Sequence, residues 1–192
     1  MLPRSVRSQL VPISTAKVHR QVAARQCRTL NKNYSLLDLM QRLAIKSPFN
    51  LYYDVIIPRS CYLSEPKVAK HFLFDGSDQP VYATELAYVV TADGVLTGFK
   101  GSFAAELSDA VVLDISGDDI AARTTSDSWK HCYLPLQNPL NVTHGDEIHL
   151  RYERSYPSLG NSPFRQCYRW SGTVKRRGDV IGAFSQSTGN SE

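Results

Sequence analysis

The stretch that decides the fold is Leu96-Thr97-Gly98-Phe99-Lys100-Gly101-Ser102-Phe103-Ala104-Ala105-Glu106-Leu107. Its apolar residues alternate in part, and Phe99 and Phe103, four apart, fall on one strand face because side chains repeat every second residue. Glycines inside such a run mark bulges and tight bends rather than a phosphate-binding loop. On either side the same texture continues. Leu51–Ile57, Lys70–Phe74 and Val81–Val90 precede it; Val111–Ile115, His131–Leu136, Glu147–Glu153, Phe164–Val174 and Val180–Phe184 follow, making nine candidate strands. Asp75-Gly76 and Asp93-Gly94 are turn pairs between them. Short strands with frequent turns and no intervening helix point to a barrel or sandwich rather than βαβ units.

The first third reads differently. Residues 1–33 look loosely organised, with Lys17–Val22 readable as a strand or a frayed helix. Ser35 is a helix N-cap, and Leu36, Leu39, Met40 and Leu43 then repeat at i, i+3, i+4 and i+7 on one helical face. Ser47-Pro48 stops that helix, because the residue before proline disfavours the helical region. The predicted architecture is mainly β: an antiparallel β-barrel of about nine or ten strands with a short helical N-terminal arm. Residues 1–47 form a basic lead-in and arm, 48–188 the barrel and 189–192 a tail.

Length and composition agree. The 192 residues, 42% hydrophobic and 21% charged, suffice for one domain and its core. No run approaches the ~18 apolar residues of a membrane span, and no apolar segment near Met1 resembles a secretory signal. The net charge of +4 hides a split. Residues 1–50 hold nine basic groups against one acid (+8), whereas residues 51–192 hold 13 against 17 (−4). A basic arm beside an acidic body suits an anionic partner, the arm's own body, or a solvated face. Cys27, Cys61, Cys132 and Cys167 lie 34, 71 and 35 residues apart, without the close pairs of a zinc site. They read as reduced, mostly buried thiols of a cytoplasmic protein, with disulfides as the alternative.

The motifs argue against self-contained chemistry. Val111-Val112-Leu113-Asp114-Ile115-Ser116-Gly117-Asp118 resembles the opening of class I S-adenosylmethionine-dependent methyltransferases, a strand followed by a glycine-rich turn. Close approach of backbone to a cofactor requires glycines there, and Ser116 and Asp118 stand in the first two glycine positions. Asp114, Asp118 and Asp119 lack the spacing of a calcium loop. His19, His71, His131, His144 and His149 are dispersed, and His131-Cys132, adjacent on a strand, would face opposite ways. No catalytic, cofactor-binding or metal-ligating residue is assigned. In Phe164-Arg165-Gln166-Cys167-Tyr168-Arg169-Trp170, bases alternate with aromatics. That pattern fits single-stranded nucleic acid or, more simply, one aromatic core face.

Four segments together are similar to the C-terminal β-barrel domain of protein arginine methyltransferases. They are Gly98-Phe99-Lys100-Gly101-x-Phe103-x-Ala105-x-Leu107-Ser108, Ser126-Asp127-Ser128-Trp129-Lys130-His131, Leu134-Pro135-Leu136, and Pro139-Leu140-x-Val142-x-x-Gly145-Asp146-Glu147-Ile148. Leu10-Val11-Pro12 is a fainter likeness to that family's first barrel strand. The resemblance implies that Leu36, Leu39, Met40 and Leu43 belong to a dimerisation arm. It further implies that Asp127, Ser128, Trp129 and Lys130 occupy the substrate-facing loop, where the family has Thr-His-Trp. The family's cofactor domain and paired catalytic glutamates have no counterpart in these segments. The expectation is therefore a partner- or protein-substrate-binding barrel that is not catalytic alone and homodimerises through its arm. S-adenosylmethionine enters only if a separate methyltransferase domain supplies its site. Two alternatives remain: a fragment or truncated form of such an enzyme, and an OB-like nucleic-acid-binding module. Neither a membrane nor nucleic acid is the expected partner.

Overall fold

The computed structural model describes residues 3–27, 35–120, 131–156 and 166–189. It contains ten strands: β1 (Ser5–Ile13), β2 (Tyr53–Asp54), β3 (Lys67–Phe72), β4 (Tyr82–Val89), β5 (Gly94–Ser108), β6 (Val111–Asp114), β7 (Cys132–Val142), β8 (Glu147–Ser155), β9 (Cys167–Arg176) and β10 (Asp179–Ser187). Two helices, α1 (Ala16–Ala23) and α2 (Leu36–Arg42), lie between β1 and β2. The mainly-β, antiparallel architecture and the short helical part stand as the sequence predicts.

The strands form two sheets. One runs β2-β7-β5-β1-β3, with β6 also paired to β5; the other runs β10-β9-β8-β4. Among the described residues no backbone ladder joins them, so the expected barrel wall has two seams. At the first, Thr84 Oγ1 donates to Ala69 O at 2.7 Å and Lys67 Nζ to Ala87 O, tying β4 to β3. At the second, β10 lies against β7, where Gly182 leaves room that a side chain would take from Leu140.

β5 is the spine, pairing β1, β6 and β7. Its register against β7 jumps between Leu96, opposite Leu140, and Gly98, opposite Pro135. Gly98 is required there: a Cβ would sit 2.3 Å from Leu134 O. Phe99, fully buried, and Phe103 share the inner face as alternation demands.

Two cores follow from that alternation. Leu10, Phe99, Leu134, Trp170 and Phe184 fill the space between the sheets. Their sequence neighbours Val11 and Tyr133 point outward instead, into a second cluster with Val18, Val22, Leu39, Met40, Leu51 and Ile57. The helical unit therefore covers the outer face of the larger sheet. His19 Nε2 lies 2.8 Å from Leu136 O, and Thr15 N donates to Thr97 Oγ1 at 3.0 Å.

Several readings change. Residues 1–33 are not uniformly loose, because Ser5–Ile13 is a central strand between β3 and β5. Its apolar run is short and flanked by polar residues, so the sheet on either side defines it more than its own pattern does. Lys17–Val22 is helical, within α1. Only Tyr53–Asp54 of the Leu51–Ile57 run is a strand; Leu51, Val55 and Ile57 serve the second core, and Tyr52 packs against the first. Ser35 does cap α2, its Oγ accepting from Asp38 N at 3.2 Å. The helix ends at Arg42, before Pro48, with Ala44 left-handed at φ 53° and Ile45 N donating to Met40 O at 2.8 Å. That is a Schellman turn with alanine where glycine is usual. Of the four free thiols, only Cys167 is fully buried; the other three are half-buried.

Candidate functional site

Two regions carry the polar and interaction chemistry: the junction from which the 121–130 segment departs, and the helical unit. Asp127, Ser128, Trp129 and Lys130 lie outside the described residues. The junction flanking them is well defined. β6 delivers the chain to Ser116 and Asp118, and β7 begins at Cys132, next to His131.

Lys100 anchors this junction. Its side chain is fully buried, and Nζ donates to Ile57 O at 2.8 Å, Tyr62 OH at 2.7 Å and Ser116 O at 3.0 Å. A buried ammonium is tolerated only when its donors are satisfied, and two carbonyls and a phenol do that here. Burial still pulls Lys100 down to about 8, opposed chiefly by the Asp118 carboxylate. His131, also fully buried, accepts from Ile57 N at Nδ1 (3.0 Å), which leaves Nε2–H to donate to Ile115 O at 2.8 Å. Burial and then the Lys100 charge drive its pKa down to about 4, so the ring is neutral. Arg59 completes the junction, its backbone N–H donating to Asp118 Oδ1 at 2.8 Å and its guanidinium to Ser116 Oγ at 3.4 Å.

These bonds decide the glycine-poor turn. Ser116 and Asp118 use their side chains to hold Arg59, and Asp114 Oδ1 accepts from Ser116 N at 2.8 Å. Ser116 and Asp118 thus stand, with side chains bonded to Arg59, where a cofactor turn would need glycine, and no chemical step is derived through S-adenosylmethionine. Among the described residues no group of three or more His, Cys, Asp or Glu could hold a metal ion. Sequence reasoning missed Lys100, Arg59 and Tyr62. The legible signal was a lysine between Phe99 and Gly101 on the most apolar strand.

In the helical unit, Leu39 and Met40 are buried in the second core, with Leu36 and Leu43 packed against it. The predicted apolar stripe thus packs into the chain's own second core, while Leu37 is 60% exposed. Lys17, Arg20, Arg25 and Lys46 are exposed on the same unit. Elsewhere, Trp170 and Tyr168 of the aromatic–basic run belong to the inner core, whereas Arg169 is exposed. The Gly145-Asp146 turn is also structural: Asp146 accepts from Thr143 N and binds Arg176 through both oxygens.

Comparison with known proteins places this architecture in a class. Residues 5–170 match the family model of the PRMT5 oligomerisation domain, and the chain belongs to that family, the C-terminal β domain of protein arginine methyltransferases. Among solved structures, it resembles the Trypanosoma brucei PRMT1 enzyme–prozyme heterotetramer with AdoHcy at 14% identity and TM-score 0.69, over 97% of this chain and 56% of that one. It also resembles Arabidopsis thaliana protein arginine methyltransferase 10 at 13% identity and TM-score 0.68, over 98% and 60%. A PRMT6 structure matches at 15% identity and TM-score 0.51, over 91% and 54%. The chain thus spans little more than half the length of the chains it resembles.

Proposed function

We propose that this chain is the oligomerisation and partner-binding half of an arginine methyltransferase-like protein, not catalytic alone. The observation that carries the reading is the match of residues 5–170 to an oligomerisation domain, in a chain whose helical unit carries the exposed Leu37 among exposed basic groups. On this reading the unit docks, through Leu37 and the bases around it, on an acidic face of a second copy or of a separate methyltransferase domain. Asp127, Ser128, Trp129 and Lys130 belong to the surface that meets a protein substrate, and S-adenosylmethionine is bound by the partner domain. A reducing, cytoplasmic setting suits the four free thiols.

Sedimentation velocity across a hundredfold range of concentration tests the homodimer. Wild type should dimerise, and Leu37→Glu should shift the midpoint at least tenfold while leaving the circular dichroism unchanged. A wild-type monomer throughout overturns self-association. Calorimetric titration with S-adenosylmethionine tests the other half, because micromolar binding by this chain alone overturns the non-catalytic reading. A second reading, a piece of a longer methyltransferase, is favoured by the 54–60% coverage of the matched chains. An in-frame glycine-rich motif encoded upstream of Met1 would support it, and unrelated sequence would remove it.

A further inference from the structure

We propose that one end of the space between the two sheets is a binding pocket for a small, flat, uncharged ring compound. A cavity of about 290 Å³ opens there. Tyr52, Tyr152 and Tyr168 wall it, Leu10 and Leu134 floor it, and Gln166 is among its polar lining. Pockets of this kind, mostly apolar with a few polar groups, favour the mouths of β-barrels.

The walls are set for a ring. Tyr52 meets Tyr168 edge-on, at 88° with centroids 5.3 Å apart, and Tyr152 lies nearly parallel to Tyr168 at 14° and 5.9 Å. A planar guest can therefore stack on one phenol and meet the edge of another, the two arrangements aromatic rings prefer. The room comes from small residues on the opposite wall: Ser8 of β1 and Gly101 of β5, where a Cβ would already be 3.3 Å from Cys132 Cβ. The volume is near the lower end for ligand pockets, which limits the guest to one ring or a fused pair.

Charge decides the class. None of the described lining residues is ionised near neutral pH: burial raises Tyr52 to about 12 and Cys132 to about 12. A carboxylate or phosphate would lose its hydration without a cation in return, which is costly. A cationic guest finds no carboxylate among the described lining residues to balance it. An uncharged ring has neither cost.

The experiment is a titration of the full chain with indole and 4-methylphenol, followed by tyrosine-ring NMR, with choline and benzoate as charged comparators. Saturable shifts for the neutral rings, at least tenfold tighter than for either comparator, are expected. No saturation up to the solubility limit, or tighter binding of choline or benzoate, overturns the proposal. A capped Gly-Trp-Gly tripeptide should bind more weakly than indole; the reverse result overturns a free small molecule in favour of a peptide-borne ring. Ser8→Leu and Gly101→Val should each weaken indole at least tenfold, and unchanged affinity in a folded variant overturns the site. Should both variants fail to fold, alkylation of Cys132 decides. Saturating indole should slow it at least threefold relative to Cys27 and Cys61, and an equal rate overturns the pocket.

Discussion

His131 holds Ile57 N with one ring nitrogen and Ile115 O with the other, joining the segment after β2 to the end of β6 through one neutral imidazole. Its folded pKa of about 4 lies below the ordinary 6.5. The unfolded chain therefore binds more protons between those values, and stability rises with pH across that window. The contribution is fully present above about 6.5 and is lost as pH falls through 4. It amounts to up to about 3 kcal/mol by proton linkage. Urea denaturation at pH 7, 5.5 and 4 checks this. His131→Gln, which keeps a donor and an acceptor, should flatten the slope between pH 6.5 and 4.

Lys100 gives a signature of the same sign at higher pH. Its folded pKa, about 8, lies below the ordinary 10.5, so stability rises between pH 8 and 10.5 as the buried charge is relieved. The neutral amine keeps every partner, because Tyr62 OH can turn and donate to it. Lys100→Met strands Ile57 O and Ser116 O and should cost about 2–4 kcal/mol at pH 7. The difference between wild type and variant should widen from pH 8 to 10, as read by chemical denaturation. A pH-independent difference would sink the assignment.

Arg176 grips both oxygens of Asp146, Nε to Oδ1 at 2.9 Å and a terminal nitrogen to Oδ2 at 2.8 Å. These bonds hold the Asp146 carboxyl down to about 2. Its contribution is present above the ordinary carboxylate range and is lost as pH falls through 2. Asp146→Asn should cost about 1–2 kcal/mol, a charge-assisted fork discounted for the exposure of Arg176. Denaturation at pH 7 measures it, and the cost should vanish near pH 2.

Ala44 sits at φ 53° after α2. Left-handed backbone costs a residue with a Cβ about 1 kcal/mol more than glycine. Ala44→Gly should therefore raise Tm by about 2–4 °C, the scale of 1 kcal/mol in a chain of this size. Calorimetry would show it, and a lowered Tm would remove the strain argument.

What was legible in the sequence was whatever depends on near neighbours. The strands from β3 to β10, the Ser35 cap and the apolar stripe of α2 follow from period-two and period-3.6 patterns, which local geometry imposes on any chain. The order Gly98-Phe99-Lys100-Gly101, Trp129-Lys130 and Gly145-Asp146-Glu147-Ile148 was enough to suggest the family. Ser5–Ile13 was legible only faintly, through the likeness of Leu10-Val11-Pro12 to the family's first barrel strand, because its place between β3 and β5 comes from residues about 60 to 100 positions away. The junction was not legible: Lys100, His131 and Arg59 are scattered along the chain and meet only when β5, β7 and the segment after β2 pack together. The sequence by itself determined the mainly-β class and the helical stripe, since hydrophobic periodicity is a local property. Tertiary structure alone decided which faces that stripe and Lys100 would occupy, since burial and charge satisfaction belong to the assembled sheets.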